Sequence, residues 1–226
     1  VEGNLAFFDK NSSKEPQHFK SLNISLNELK FDLDDMSSFN KKDLLDKDFL
    51  LSLPDYTIYT KDSMNVIHIG LATIKNDMIS LRDVSMKPRM GRFSYTRKVG
   101  MEVDVIDLFI PEIIIHHPDL PLLVDKQELN AVLLEVLDID ATIYRDKRFP
   151  AQTGVYKFMP QELMKQVGIV VQLDTLQLKN GKIRYVEFPE KGMVPGEIYF
   201  SELYAAVYPI HLGKNPSDYQ ISKANL

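Results

Sequence analysis

The stretch VQLDTLQLKNGKIRY, residues 171–185, decides the fold. Val171, Leu173, Leu176 and Leu178 are apolar, and every residue between them is polar. Alternation with a period of two marks a half-buried strand. The three-residue step from Leu173 to Leu176 breaks that period. One bulged residue there would return all four side chains to one face and bend the strand. A two-residue hairpin turn is the other solution, but Asp174-Thr175 is not the Asn-Gly type that such a turn prefers. Farther on, Lys179-Asn180-Gly181-Lys182 separates Leu176–Leu178 from Ile183–Tyr185 and reads as an Asn-Gly hairpin.

The same spacing recurs along the chain. It occurs at Ile24, Leu26, Leu29, Phe31; at Ile67, Ile69, Ala72, Ile74; and at Ile79, Leu81, Val84, Met86. It returns at Leu108, Ile110, Ile113, Ile115; at Leu134, Val136, Ile139, Ala141; and at Ile198, Phe200, Leu203, Ala205. The expected fold is mainly β: a curved antiparallel sheet of repeated bulged strands that forms an open trough, with a few short helices. Bulges are expected near residues 27–28, 82–83 and 174–175. Lys75-Asn76-Asp77 reads as a hairpin turn, and residues 188–196 as a looser connection. Helices are expected over Asn40–Leu51, within Pro118–Val132, and over Pro160–Val167 before Gly168. A long connection is expected over Arg145–Thr153.

Composition narrows the function. The 226 residues carry a formal net charge of −5, with 44% apolar and 26% charged residues. That is a globular composition and gives no sign of a nucleic-acid binder. No cysteine is present, which removes disulfides and thiolate chemistry. No apolar run is long enough to span a bilayer as a helix. The first residues lack the features of a signal peptide, so Val1 reads as a cut point, with any anchor outside the sequence. One domain over residues 1–226 is expected.

Catalytic and ligand-binding motifs are not found. His116-His117 would point to opposite faces of a regular strand, and no HExxH spacing occurs, so no metal site is expected. GxSxG, GxxxxGK[ST] and GxGxxG are missing too, so neither an enzyme nor a cofactor is expected. The strongest charge feature is Lys87, Arg89, Arg92, Arg97 and Lys98, interleaved with Phe93 and Tyr95 and free of acids. It reads either as an anionic head-group contact or as a solvated loop between two strands. Arg145-Asp146-Lys147-Arg148 is a smaller cluster with the same ambiguity.

The order of four segments carries a resemblance. IHIGLATIKNDMISLRDVSMKP (67–88) is followed by GRFSYTRKVGMEVDVIDLFIPEIII (91–115) and LNAVLLEVLDIDATIYRDKRFP (129–150). The run from Met159 to Ile210 completes it. This resembles the AsmA-like envelope proteins of Gram-negative bacteria, related to bridge-like lipid transfer proteins of the chorein type. The resemblance implies a section of a longer periplasmic repeat protein, tethered to the inner membrane through an anchor outside this chain. It implies a phospholipid partner, a part in outer-membrane integrity and no catalytic residues. Leu108, Ile110, Ile113, Ile115, Val171, Leu173, Leu176 and Leu178 are then the groove candidates. The alternative is a structural or protein-interaction module of the envelope in which the same faces close on each other.

Overall fold

The computed structural model describes residues 5–7, 17–19, 23–26, 49–60, 62–151, 170–212 and 220–225. The short strands β1 (Leu5–Phe7), β2 (Gln17–Phe19) and β3 (Asn23–Leu26) precede the long β4 (Phe49–Tyr59), β5 (Asn65–Lys75) and β6 (Met78–Pro88). Helix α1 (Arg92–Val99) leads to β7 (Asp104–His116), and α2 (Leu120–Lys126) leads to β8 (Glu128–Leu137) and β9 (Asp140–Asp146). Then come β10 (Val170–Phe188), β11 (Gly196–Leu212) and β12 (Gln220–Asn225). The protein is mainly β. Its strands form one large mixed sheet, ordered β1-β2-β4-β5-β6-β7-β8-β10-β11-β12, with β3 on β4 and β9 between β7 and β10.

Five of the seven repeated segments lie wholly in described strands; the one at Leu134–Ala141 spans the break between β8 and β9, with Ile139 in neither, and of the first only Ile24 and Leu26 are described, both in β3. The expected antiparallel sheet is corrected to a mixed one. β10 runs parallel to β8 and β9, with Leu173 beside Ala131 and Ile183 beside Ala141. The Asn-Gly hairpin is corrected as well: β10 passes straight through Asn180-Gly181 from one partner strand to the next. Asn180 does adopt the left-handed backbone that Asn tolerates (φ 56°), but as a single kink. Gly181 is needed for space. A methyl there would come within 3.1 Å of Ile139 and 3.2 Å of Leu178 and Leu203.

The hairpin at Asn76-Asp77 forms, with Lys75 opposite Met78. Residues 188–196 join two antiparallel strands, β10 and β11. The expected helix at Asn40–Leu51 gives way to strand at Phe49–Leu51, and its other residues lie outside the described ones, as does Pro160–Gly168. In the Pro118–Val132 segment the helix stops at Lys126 and β8 begins at Glu128. Asp119 starts α2 by accepting from the Leu122 amide at 2.9 Å, and Gln127 (φ 58°) ends it. The solvated-loop reading of the basic segment is also corrected, because Arg92 to Val99 are helical. Gly100 (φ 76°) closes that helix by donating to Thr96, and Arg97 and Lys98 sit favourably in its last turn. Arg145 and Asp146 belong to β9, so the long connection starts later than expected.

At residues 82–83 the chain does not insert an extra residue. Asp83 has φ 53°, yet the ladders on both sides resume in the same register. That constancy sets Asp55 (φ 53°), Gly70, Asp83 and Pro111 opposite one another on four successive strands. The row continues through Asp138 (φ 55°), at the break between β8 and β9, to Asn180, and Glu202 (φ 55°) of β11 lies beside it where the β10–β11 ladder is irregular. Asn180 donates to Asp138 Oδ1 at 2.6 Å. Register shifts occur in the β10–β11 ladder, between Leu178 and Ile183. The ladders pass Asp174 unshifted, and residues 27–28 lie outside the described residues.

Candidate functional site

The candidate site is the apolar face of the sheet. The side chains converging on Gly181 show that Leu178, before the row, and Ile139, beyond it, share one face. Alternation then places Ala141 and Ile143 there, with their β7 partners Leu108 and Ile106. Toward the other end, Ile79, Ile115, Leu134, Val171 and Leu173 form one core cluster, with Leu81, Ile113, Val136 and Leu176 packed against it. That cluster also takes in Leu120 and Leu123 of α2, which closes this end of the face.

The eight groove candidates differ in access. Ile110 (7% exposed), Ile115 (7%), Val171 (4%) and Leu173 (2%) are buried. Leu108, Ile113, Leu176 and Leu178 are half-buried. Ile198 (54%) and Phe200 (48%) on β11 are open, paired to Tyr185 and Ile183.

A charged network bounds the far end of this face. Register sets Asp104, Arg145 and Glu187 side by side, in step with Leu108, Ala141 and Ile183. Arg145 binds Asp104 through two donors and lies 3.6 Å from Glu102. The carboxylate of Asp104 holds the Arg145 guanidinium above its ordinary pKa. Tyr185 donates to Glu187 at 2.6 Å, and Lys147 approaches the same carboxylate at 2.7 Å. Burial, then the bond to Glu187, pushes the Tyr185 phenol well above its usual range. Sequence reasoning singled out Arg145–Arg148 but not this arrangement. The alternation Asp104-Ile106-Leu108 was the available signal, since it puts a carboxylate on an otherwise apolar face.

Asp146 and Arg148 of the small basic cluster turn away. Asp146 is fully buried on the opposite face. Arg148 meets its two oxygens at 2.9 and 2.7 Å, the Arg148 amide donates at 3.1 Å, and the Tyr144 hydroxyl at 3.2 Å. The Arg148 contact holds the Asp146 carboxyl below the usual range.

All five residues of the larger basic segment are exposed. Arg92 lies 4.7 Å over the Tyr144 ring, and Arg89 4.8 Å over Tyr59. Helix α1 packs Tyr95 against Val105, Tyr144 and Val186. Each of these strand residues is three places from Leu108, Ala141 or Ile183, and so on the other face. The structure therefore does not bring the cationic candidates and the groove candidates together.

His116 lies in β7, 2.7 Å from Glu135, whose carboxyl Lys179 and then His116 hold below its usual range. His117 adopts φ 51° and lines a cleft of about 440 Å³, half apolar, whose polar residues include Asp119, Asn130, Gln172, Asp174 and His211. Among the described residues, no three His, Asp or Glu side chains come together as a metal set, and no helix is long and apolar enough to cross a membrane. Comparison of the chain with protein-family models, curated proteins and solved structures gives no match.

Proposed function

We propose that the chain is a non-enzymatic lipid-handling module of the AsmA-like kind, which receives phospholipid acyl chains on the apolar face of its sheet. One observation carries the reading. The repeated apolar residues share one face, and exposure on it ranges from buried Leu173, Ile110 and Ala141 through half-buried Leu108 and Leu178 to open Ile198 and Phe200. Acyl chains on that face would leave water, at about 0.8 kcal/mol per methylene. The face acts as a bent trough, with the row from Asp55 to Asn180 as the line of bending, and α2 and the Arg145 network as its ends. The five cations lie on the opposite face, so in this reading they meet an anionic membrane surface and not the head group of a held lipid. A periplasmic location, with the membrane anchor outside this chain, belongs to the same proposal.

Native mass spectrometry of the purified chain tests this. Bound phospholipid, reduced in a Leu178→Asp variant that remains folded, is the expected result. A lipid-free chain would overturn it. The low exposure of Ile110, Ile115, Val171 and Leu173 favours a second reading, an envelope interaction module with a closed core. That reading predicts no lipid and severe destabilisation by charge anywhere on the face.

A further inference from the structure

We propose that the end of the sheet formed by α1 and the β10–β11 connection docks on an anionic lipid bilayer, with Met193 and Val194 entering its apolar margin. This anchor rests on the membrane contact already proposed for the five cations. Residues 189–195 extend beyond the last rung of the β10–β11 ladder, Glu187 beside Gly196. At their tip Met193 is 95% exposed and Val194 74%, more than any other large apolar residue described. The connection is braced. Gly192 lies so close to Pro189 that an added methyl would meet its ring at 2.6 Å. Pro189 and Pro195 restrict the backbone on either side of the tip. At its base the Lys147 amide donates to the Phe188 carbonyl at 2.9 Å, and the Arg148 guanidinium lies 3.6 Å over the Phe188 ring.

A second connection reaches the same end. Residues 89–103 carry α1, whose Tyr95 packs on Val186, two places before Phe188. Arg184 first, with Arg92 adding to it, holds the Glu197 carboxyl at the base of the hairpin below its usual range, which places α1 beside β11. Phe93 (49%) and Met101 (43%) are open on this connection, among Lys87, Arg89, Arg92, Arg97 and Lys98. Exposed apolar side chains and a run of five cations without an acid thus share one end of the sheet. A folded partner needs a broad complementary surface, whereas a fluid bilayer accepts isolated apolar side chains wherever cations hold them at its surface. The tip's own charges, Glu190 and Lys191, cancel. Attraction therefore falls to the α1 segment and insertion to Met193 and Val194.

The chain has no tryptophan, so Val194→Trp supplies a single fluorescent reporter. The probe is vesicles of phosphatidylcholine containing about a third phosphatidylglycerol. On them, Val194→Trp emission should shift to the blue and be quenched by lipids brominated on the acyl chains. Val124→Trp, on α2 at the other end of the sheet, should show neither effect, although Val124 is 51% exposed. Met193→Asp combined with Val194→Asp should weaken co-sedimentation by at least about tenfold and leave the urea midpoint unchanged. Vesicle binding without a Val194→Trp shift would overturn the insertion and leave the cation contact standing. An equal shift at Val124→Trp would mean adhesion by any apolar surface, and a concentration-dependent shift without vesicles would mean docking on a second copy; either overturns the proposal. Absence of all vesicle binding would overturn it together with the cation contact, whereas phospholipid held on the apolar face is read separately, by native mass spectrometry.

Discussion

Charge placed at two points of the apolar face should separate packed core from accessible surface. Leu173 is 2% exposed and surrounded by the core cluster, whereas Leu108 is half-buried beyond the row. Leu173→Asp loses about 2 kcal/mol of apolar burial. It also sets a carboxyl among Val171, Leu176 and Ile210 with no cation in the cluster, which adds several kcal/mol even if the group takes up a proton. The total, about 5 kcal/mol or more, is comparable to the whole stability of many domains. Leu108→Asp keeps water within reach and should cost about 1–2 kcal/mol. Urea unfolding followed by circular dichroism measures both. Leu173→Asp should be unfolded or aggregated in buffer, and Leu108→Asp should shift the midpoint modestly while lowering lipid occupancy. A folded Leu173→Asp chain of near-normal midpoint would refute the packing argument. An unfolded Leu108→Asp chain would show that the face is closed throughout.

Three further expectations follow from the geometry. Gly181→Ala should cost about 1–3 kcal/mol, because three neighbouring side chains must move; a neutral midpoint in the same urea assay would mean that they yield freely. The depressed carboxyls of Asp146 and Glu187 bind fewer protons folded than unfolded, so their contribution is present above the unfolded carboxyl pKa and lost as pH falls through the folded values. The urea midpoint should therefore fall steeply below about pH 4, and less steeply in Arg148→Met; parallel profiles would remove Asp146 from the account. Changing Arg89, Arg92 and Arg97 together to Ser should weaken co-sedimentation with anionic vesicles and leave neutral vesicles unaffected, and equal binding to both would leave the basic face as a solvated surface.

The strands were legible because the repeated segments carry apolar alternation, with wholly polar spacers in those at Ile24, Ile79 and Val171, and burial enforces that pattern directly. The sheet's direction was not. Leu173 lies beside Ala131 in parallel, a partnership fixed by a chain return that no local residue announces. Asn180-Gly181 misled for a physical reason: a left-handed Asn and a small Gly serve a hairpin, but they also serve a kink where three side chains crowd the backbone. Helix α1 had a weak signal, Tyr95 and Val99 at helical spacing with Gly100 following, but five cations in one stretch masked it. The separation of cationic and apolar candidates onto two faces needed the register, because a sequence does not say which side of a sheet a connecting helix will cover.

The row of residues from Asp55 to Asn180 also limits how this sequence can change over time. Each strand must bring its residue of the row to the same point, so a single-residue deletion anywhere between a hairpin and the row would throw that strand out of step with both neighbours and turn its apolar side chains outward. Length variation among descendants of this chain is therefore confined to the connections, such as residues 189–195. Within the strands, the spacing behaves as a ruler that substitutions can repaint but insertions cannot stretch.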